Sequence, residues 1–170
     1  MHGFYETAST AFGSEIGYTN FGGEYQFSYT LAKLHTLTSS FKVGFADKTT
    51  PISHQYSIGG QYSFFGMREN EYIGKQIFLG SFDYRIFLPV RIFFDTYFQI
   101  RYDIGSTWKE VDEIQLADLK HGLGATLSFN TPIGPADFSV GRSFHFVRNF
   151  PANPISMGPV FFYFSIGYYY

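Results

Sequence analysis

Apolar and polar residues alternate one for one along most of the chain, which is the period of a strand and not of a helix. Between 90 and 103, Val90, Ile92, Phe94, Phe98, Ile100 and Tyr102 share one parity, and Arg91, Asp95, Gln99, Arg101 and Asp103 hold the other. Just upstream, Phe82, Tyr84, Ile86 and Leu88 oppose Ser81, Asp83, Arg85 and Phe87. The last segment sets Phe162, Phe164, Ile166, Tyr168 and Tyr170 against Tyr163, Ser165, Gly167 and Tyr169. Counting parity in this way predicts about eight strands, near 3–13, 18–31, 34–46, 74–88, 90–104, 120–131, 136–147 and 158–170. Strands of soluble proteins average about 5 or 6 residues, whereas a strand tilted across a bilayer needs about 9–11. The length of these runs favours a membrane.

The connections repeat the message. Reading back from the C-terminus, 148–157 is long, "NTPIGPA" tight, 105–119 long, "LPV" tight, 47–73 the longest, "AK" tight and "SEIG" short. All but the last follow the alternation of short turns and long loops seen in outer-membrane barrels. Pro51, Pro89, Pro132, Pro135, Pro151 and Pro154 fall in expected loops or turns and Pro159 opens a strand, so none is expected to interrupt a ladder. The expected fold is therefore all-β, an antiparallel transmembrane β-barrel of about eight strands forming one domain over residues 1–170. An aromatic stretch such as "GPVFFYFSIGYYY" would invite aggregation as a bare edge. A barrel that pairs the edge and faces lipid removes that hazard.

Composition sharpens this. Aromatic residues make up 22% of the chain, with 22 Phe and 14 Tyr, and charged residues only 15%, where about 25% is usual. A net charge of −2 supplies no basic patch for nucleic acid. With no cysteine there is neither a disulfide framework nor a thiolate metal site. No run approaches the roughly 20 apolar residues of a membrane helix.

Candidate chemistry is sparse. His2, His35, His54, His121 and His145 show no metal-ligand spacing, and neither a nucleophile elbow nor a phosphate loop is present. No cofactor or metal is expected. "GLGATLS" alternates like a strand, and Gly122 and Gly124 read as sites of close approach inside a barrel. Asp83, Arg85, Arg91, Asp95, Arg101 and Asp103 concentrate charge on two adjacent strands. They suit either the wet lining of any such barrel or a socket that holds the loop at 47–73 through charge-assisted hydrogen bonds.

Two stretches carry more than rhythm. "HGLGATLSFNTPIGPADFSVGRS" (121–143), with its turn Thr131, Pro132, Gly134 and Pro135, resembles the penultimate hairpin of BamA-type assembly-factor barrels, the bacterial surface antigen superfamily. "YSIGGQYSFFGMRENEYIGKQ" (56–76) looks like the long sixth loop of those barrels, in a form similar to barrels that follow patatin-like phospholipase domains. The resemblance covers about residues 3–170 and matches the C-terminal half of a barrel of about sixteen strands. It implies a place in the bacterial outer membrane among lipid. The implied work is to translocate or insert protein, or to anchor and export a passenger, with an unfolded or passenger protein as client. It implies no catalysis by this chain, because any patatin-type hydrolase would lie outside it. In the family a loop-tip arginine binds acidic wall residues; here Phe65 holds that position, and Arg68 is the nearest arginine. The expected loop-to-wall contacts are Gly66, Arg68 and Glu71 with Asp83, Arg85, Asp95 and Arg101.

Eight strands enclose a lumen just wide enough for side chains. Three arrangements follow: the loop stays outside, two copies combine as a homo-oligomer, or an N-terminal half-barrel completes the wall. The rival functions are a self-contained eight-stranded structural barrel and an outer-membrane lipid hydrolase.

Overall fold

A computed structural model describes residues 1–8, 17–89, 93–147 and 155–167. The chain forms β1 (His2–Ala8), β2 (Tyr18–Leu31), β3 (His35–Ala46), β4 (Tyr56–Ile58), β5 (Tyr72–Gly74), β6 (Gln76–Leu88), β7 (Thr96–Trp108), β8 (Lys120–Thr131), β9 (Gly134–Phe146) and β10 (Ile155–Ile166). Eight of these make one antiparallel sheet in the order β1-β2-β3-β6-β7-β8-β9-β10, and β4 and β5 pair separately. Sequential antiparallel neighbours are what short turns demand. Among the described residues β1 and β10 stand at the two ends of that order.

The expected parity holds across the sheet, since each register is antiparallel and nearly unbroken. One face carries rows such as Tyr29, Leu37, Tyr84, Ile100, Ala125, Val140 and Phe162. The other carries rows such as Ser28, Thr38, Asp83, Arg101, Gly124 and Gly141. Phe27, Leu37, Leu123, Phe138, Phe162 and Phe164 of the first face are each more than half exposed, whereas the second face packs against the loop between β3 and β6. The sheet is greasy outside and polar inside. Soluble cores have the reverse arrangement, and membrane barrels have this one. Among the described strand residues, Glu6, Glu24, Lys42, Asp83, Arg85, Arg101, Asp103, Lys120 and Asp137 all lie on inner rows; Arg142 alone of the charged residues lies on the outer face.

Several expected boundaries move. The strand expected at 90–104 is β7, Thr96–Trp108, because alternation persists through the connection and so cannot mark where the strand begins. Leu88 pairs with Thr96, so the link that reads as the tight "LPV" spans 89–95. Val90, Arg91 and Ile92 lie outside the described residues. At its far end β7 continues past 104 because Gly105, Ser106, Thr107 and Trp108 pair with Leu79, Phe78, Ile77 and Gln76. β9 starts at Gly134, and thus Pro135 sits within it, opposite Asn130. Pro159 lies inside β10, in a bulge between Met157 and Val160 where the ladder is already interrupted, the position a proline tolerates. The first expected strand is described only to Ala8. Pro151, Pro154, most of the 148–157 link and Tyr168, Tyr169 and Tyr170 lie outside the described residues.

Two turns show how the sequence closes hairpins. Ala32 and Lys33 both have positive φ, 50° and 58°, and with Leu34, whose N–H donates to the Leu31 carbonyl at 3.2 Å, they make a three-residue connection between the last pair, Leu31 and His35. Pro132 and Ile133 join Thr131 to Gly134, whose φ is 113°, and the Thr131 hydroxyl donates to the Gly134 carbonyl at 2.5 Å.

Candidate functional site

The long connection between β3 and β6 does not leave the sheet. It folds back over the inner face and touches strands from β1 to β10, so the sheet wraps around it.

Its root is tied by a carboxylate. Asp47 accepts the Thr19 backbone N–H at 2.7 Å on one oxygen, and the Thr49 N–H and the Thr50 hydroxyl, each at 3.0 Å, on the other. Burial pushes this carboxyl up, but the donors from Thr49, Thr50 and Thr19 outweigh it and hold its pKa below the ordinary value. At the loop's other end Glu110 receives Lys75 at 3.3 Å and Lys48 at 3.6 Å. The Lys75 hydrogen bond, opposed by desolvation and aided by both ammonium charges, lowers its pKa.

Further in, β4 and β5 pair through Tyr56–Gly74, Ser57–Ile73 and Ile58–Tyr72. Tyr56 reaches the wall, donating to the Asn20 side chain and lying 3.1 Å from the Phe21 carbonyl. Gly44 makes room, since a Cβ there would fall within the Tyr56 ring. Desolvation, with the nearby Glu6 charge, pushes the phenol up to about 12 against a lowering hydrogen bond from Phe45. Tyr56 therefore remains a protonated donor well beyond neutral pH. Ile58, Phe64 and Met67 join Ala46, Tyr56 and Ile77 in the principal buried cluster, with Phe4 and Leu79 against it.

The tip is held most closely. Phe65 is 1% exposed, and its ring occupies space vacated by glycines: a Cβ on Gly124 or Gly141 would overlap the ring, and one on Gly122 would meet the Phe65 carbonyl and the Phe64 ring. The close approach expected at Gly122 and Gly124 is made by this tip. Arg101 covers the Phe65 ring with its guanidinium carbon 4.2 Å from the centroid, a cation–π contact. Asp103, fully buried, accepts the Phe65 N–H at 2.9 Å and the Arg101 Nε–H at 3.1 Å. From the other side Tyr163 packs edge-on against Phe65 at 5.8 Å. Its hydroxyl accepts from Gly66 and Met67 N–H at 3.0 and 3.1 Å and donates to the Met67 carbonyl at 2.8 Å. Gly66 has φ 78°, and a Cβ there would strike the β9 backbone at Arg142 and Ser143, so both conformation and space require glycine. Tyr62 donates to Ser165 at 2.7 Å and Gln61 to Ser139 at 3.1 Å.

The structure thus divides the expected contact residues. Gly66 and Arg101 meet at the tip, where Asp103 of the charged strands joins them. Asp83 and Arg85 line a polar cavity of about 270 Å³ with Tyr62, Gln99 and Arg101; Asp83 accepts from Gln99, and Arg85 lies 4.4 Å over the Tyr97 ring. Asp95 stands at the opposite end of β7, where its carbonyl accepts from Asn130 at 2.9 Å. Arg68 and Glu71 are exposed, the Glu71 carboxylate accepting the Arg68 backbone N–H at 2.7 Å. They close a local turn and do not reach the acidic wall residues, since Asn70, at φ 53°, turns the chain back towards β5 just after the tip. Sequence reasoning passed over Tyr163, whose parity marks it as inward among outward Phe neighbours, and Phe65 as the anchored residue in its own right. The histidines take structural places: His35 bonds Tyr84 at 2.8 Å, His121 bonds Tyr102 at 2.6 Å, and His54 meets Tyr18 and Glu6. No cluster suited to a metal ion occurs among the described residues.

An antiparallel sheet of eight long strands, greasy outside and polar inside, with a long loop folded along its inner face, is the wall of an outer-membrane-type β-barrel. The Omp85 superfamily domain matches residues 3–169, and the chain belongs to that superfamily. Its members are outer-membrane proteins of the insertase and translocator type. No curated protein matches the chain significantly in sequence.

Proposed function

We propose that this chain is one half of the wall of a bacterial outer-membrane pore that inserts or translocates protein, with the loop at 47–75 bracing the lumen. The observation behind the reading is the tip: Phe65, Gly66 and Met67 occupy the inner face of a sheet of eight strands, with β1 and β10 at the ends of the strand order among the described residues. A closed eight-stranded lumen is filled by its own side chains, so a wall that also holds this loop needs more strands. These come from a second copy of the chain or from an N-terminal half-barrel. The client is an unfolded or passenger protein, and a patatin-like domain is the kind of passenger that the form of the loop suggests. The chain's own part is non-catalytic: it offers strand edges and holds the lumen open at a fixed width.

Reconstitution tests this. The chain, with whatever completes its wall, is placed in vesicles and the folding of an outer-membrane barrel client is followed by its gel mobility. Folding several-fold faster than in empty vesicles is expected. A detergent-corrected mass of one chain whose first and last strands are hydrogen-bonded to each other, together with no acceleration, would replace this reading with a self-contained structural barrel.

A further inference from the structure

Arg142 is the one charged side chain on the outer face among the described strand residues, and the proposed function gives it no task. Leu123 and Val160 flank it across the sheet, and Val140 and Phe144 precede and follow it on the same face of β9. A cation on the lipid face of a barrel costs about 2–4 kcal/mol at mid-membrane and far less near the interface, and an ionisable residue at such depth marks a site until shown otherwise. Arg142 lies four residues short of the end of β9 at Phe146, about 10 Å below it for a rise of about 3.3 Å per residue and a tilt of about 40°. An arginine stem spans most of that distance.

The local structure fixes the guanidinium without using it up. Its Nε–H donates to the Gly158 carbonyl at 2.8 Å, a group freed by the bulge between Met157 and Val160. Among the described residues this is its one recorded partner, which leaves the two amino groups, a planar pair of donors suited to two oxygens of a phosphate. Diagonally adjacent on the same face is His121, oriented by Tyr102 and by stacking on Phe144 at 5.1 Å.

We infer that Arg142, steadied by the Gly158–Pro159 bulge, seats the phosphate of an anionic membrane lipid, with His121 beside it. The inference rests on the membrane reading above. The test therefore has two readouts. Refolded protein is first floated with vesicles: failure of both wild type and Arg142→Gln to enter overturns the membrane reading itself. Protein in a phosphate-free maltoside detergent is then titrated with phosphatidylglycerol under native mass spectrometry. Wild type is expected to retain the first lipid about tenfold more tightly than Arg142→Gln, with Arg142→Lys in between, and both wild type and Arg142→Gln are expected to hold neutral diacylglycerol equally. Equal retention of phosphatidylglycerol by wild type and Arg142→Gln would overturn the site, and so would Arg142→Lys matching wild type if the glutamine variant does not fold. Inorganic phosphate that competes as well as the lipid does would show an anion site with no lipid preference, and would overturn the lipid assignment.

Discussion

At the scale of single residues, the seat of the loop is defined as much by what the wall lacks as by what it supplies. Phe65 fits because Gly122, Gly124 and Gly141 present no side chains, and its amide and ring are then claimed by Asp103 and Arg101. The superfamily resemblance leads one to expect an arginine on the loop and acid on the wall. Here both charges stand on the wall and the loop contributes an aromatic ring. Two expectations follow. Truncating Phe65→Ala should cost about 3–5 kcal/mol of loop docking, the usual range for a buried phenylalanine, read as faster proteolytic cleavage within 59–71. Phe65→Arg should release the loop by setting two guanidinium groups against each other, and adding Arg101→Ala should restore protection, because Asp103 then meets the new cation. The acidic root behaves differently. Asp47 ionises more readily folded than unfolded, so it stabilises the docked loop above the ordinary carboxylate pKa, and this support is lost as pH falls through its lower folded value. Protection of the loop should therefore decline below about pH 4, and Asp47→Asn should flatten that profile.

At the scale of elements, strand identity was legible in the sequence because a face that meets lipid forces strict alternation. Each strand of the large sheet answers to an expected one. Its limits were less legible: Val90 and Ile92 keep the apolar parity of β7 although they precede it, and the alternation of β10 reverses at Gly158, which periodicity alone does not reveal. The candidate site was half legible. Paired glycines announced a close approach and the charged strands announced a socket, but which loop residue would enter it depends on packing across strands distant in sequence. Turn chemistry offers a separate check. Ala32 and Lys33 sit at positive φ without glycine or asparagine, a conformation that costs non-glycine residues energy. Replacing the pair with Asn-Gly, residues that tolerate positive φ, should raise stability by about 1 kcal/mol, measured as resistance to urea in detergent.

At the scale of the whole molecule, the loop binds the sheet together across its width. Its root meets β2, its hairpin meets β1 and β3, and its tip meets β7, β8, β9 and β10. The parts of that seat are spread along the chain: Phe65 precedes Asp103 by one hairpin, Gly124 and Gly141 by two more elements, and Tyr163 by nearly the whole remaining length. Contacts so distant in sequence form late. During folding Phe65 therefore lacks its full seat until the last hairpin has joined the sheet, and docking of the tip becomes a checkpoint on completed assembly. A fluorophore at Gln61 should change only after far-ultraviolet dichroism has reached its final value. A chain halted before β10 should leave the Phe65 ring and the Gly66 and Met67 amides without Tyr163, and the loosened tip displayed to whatever quality control patrols unfinished barrels.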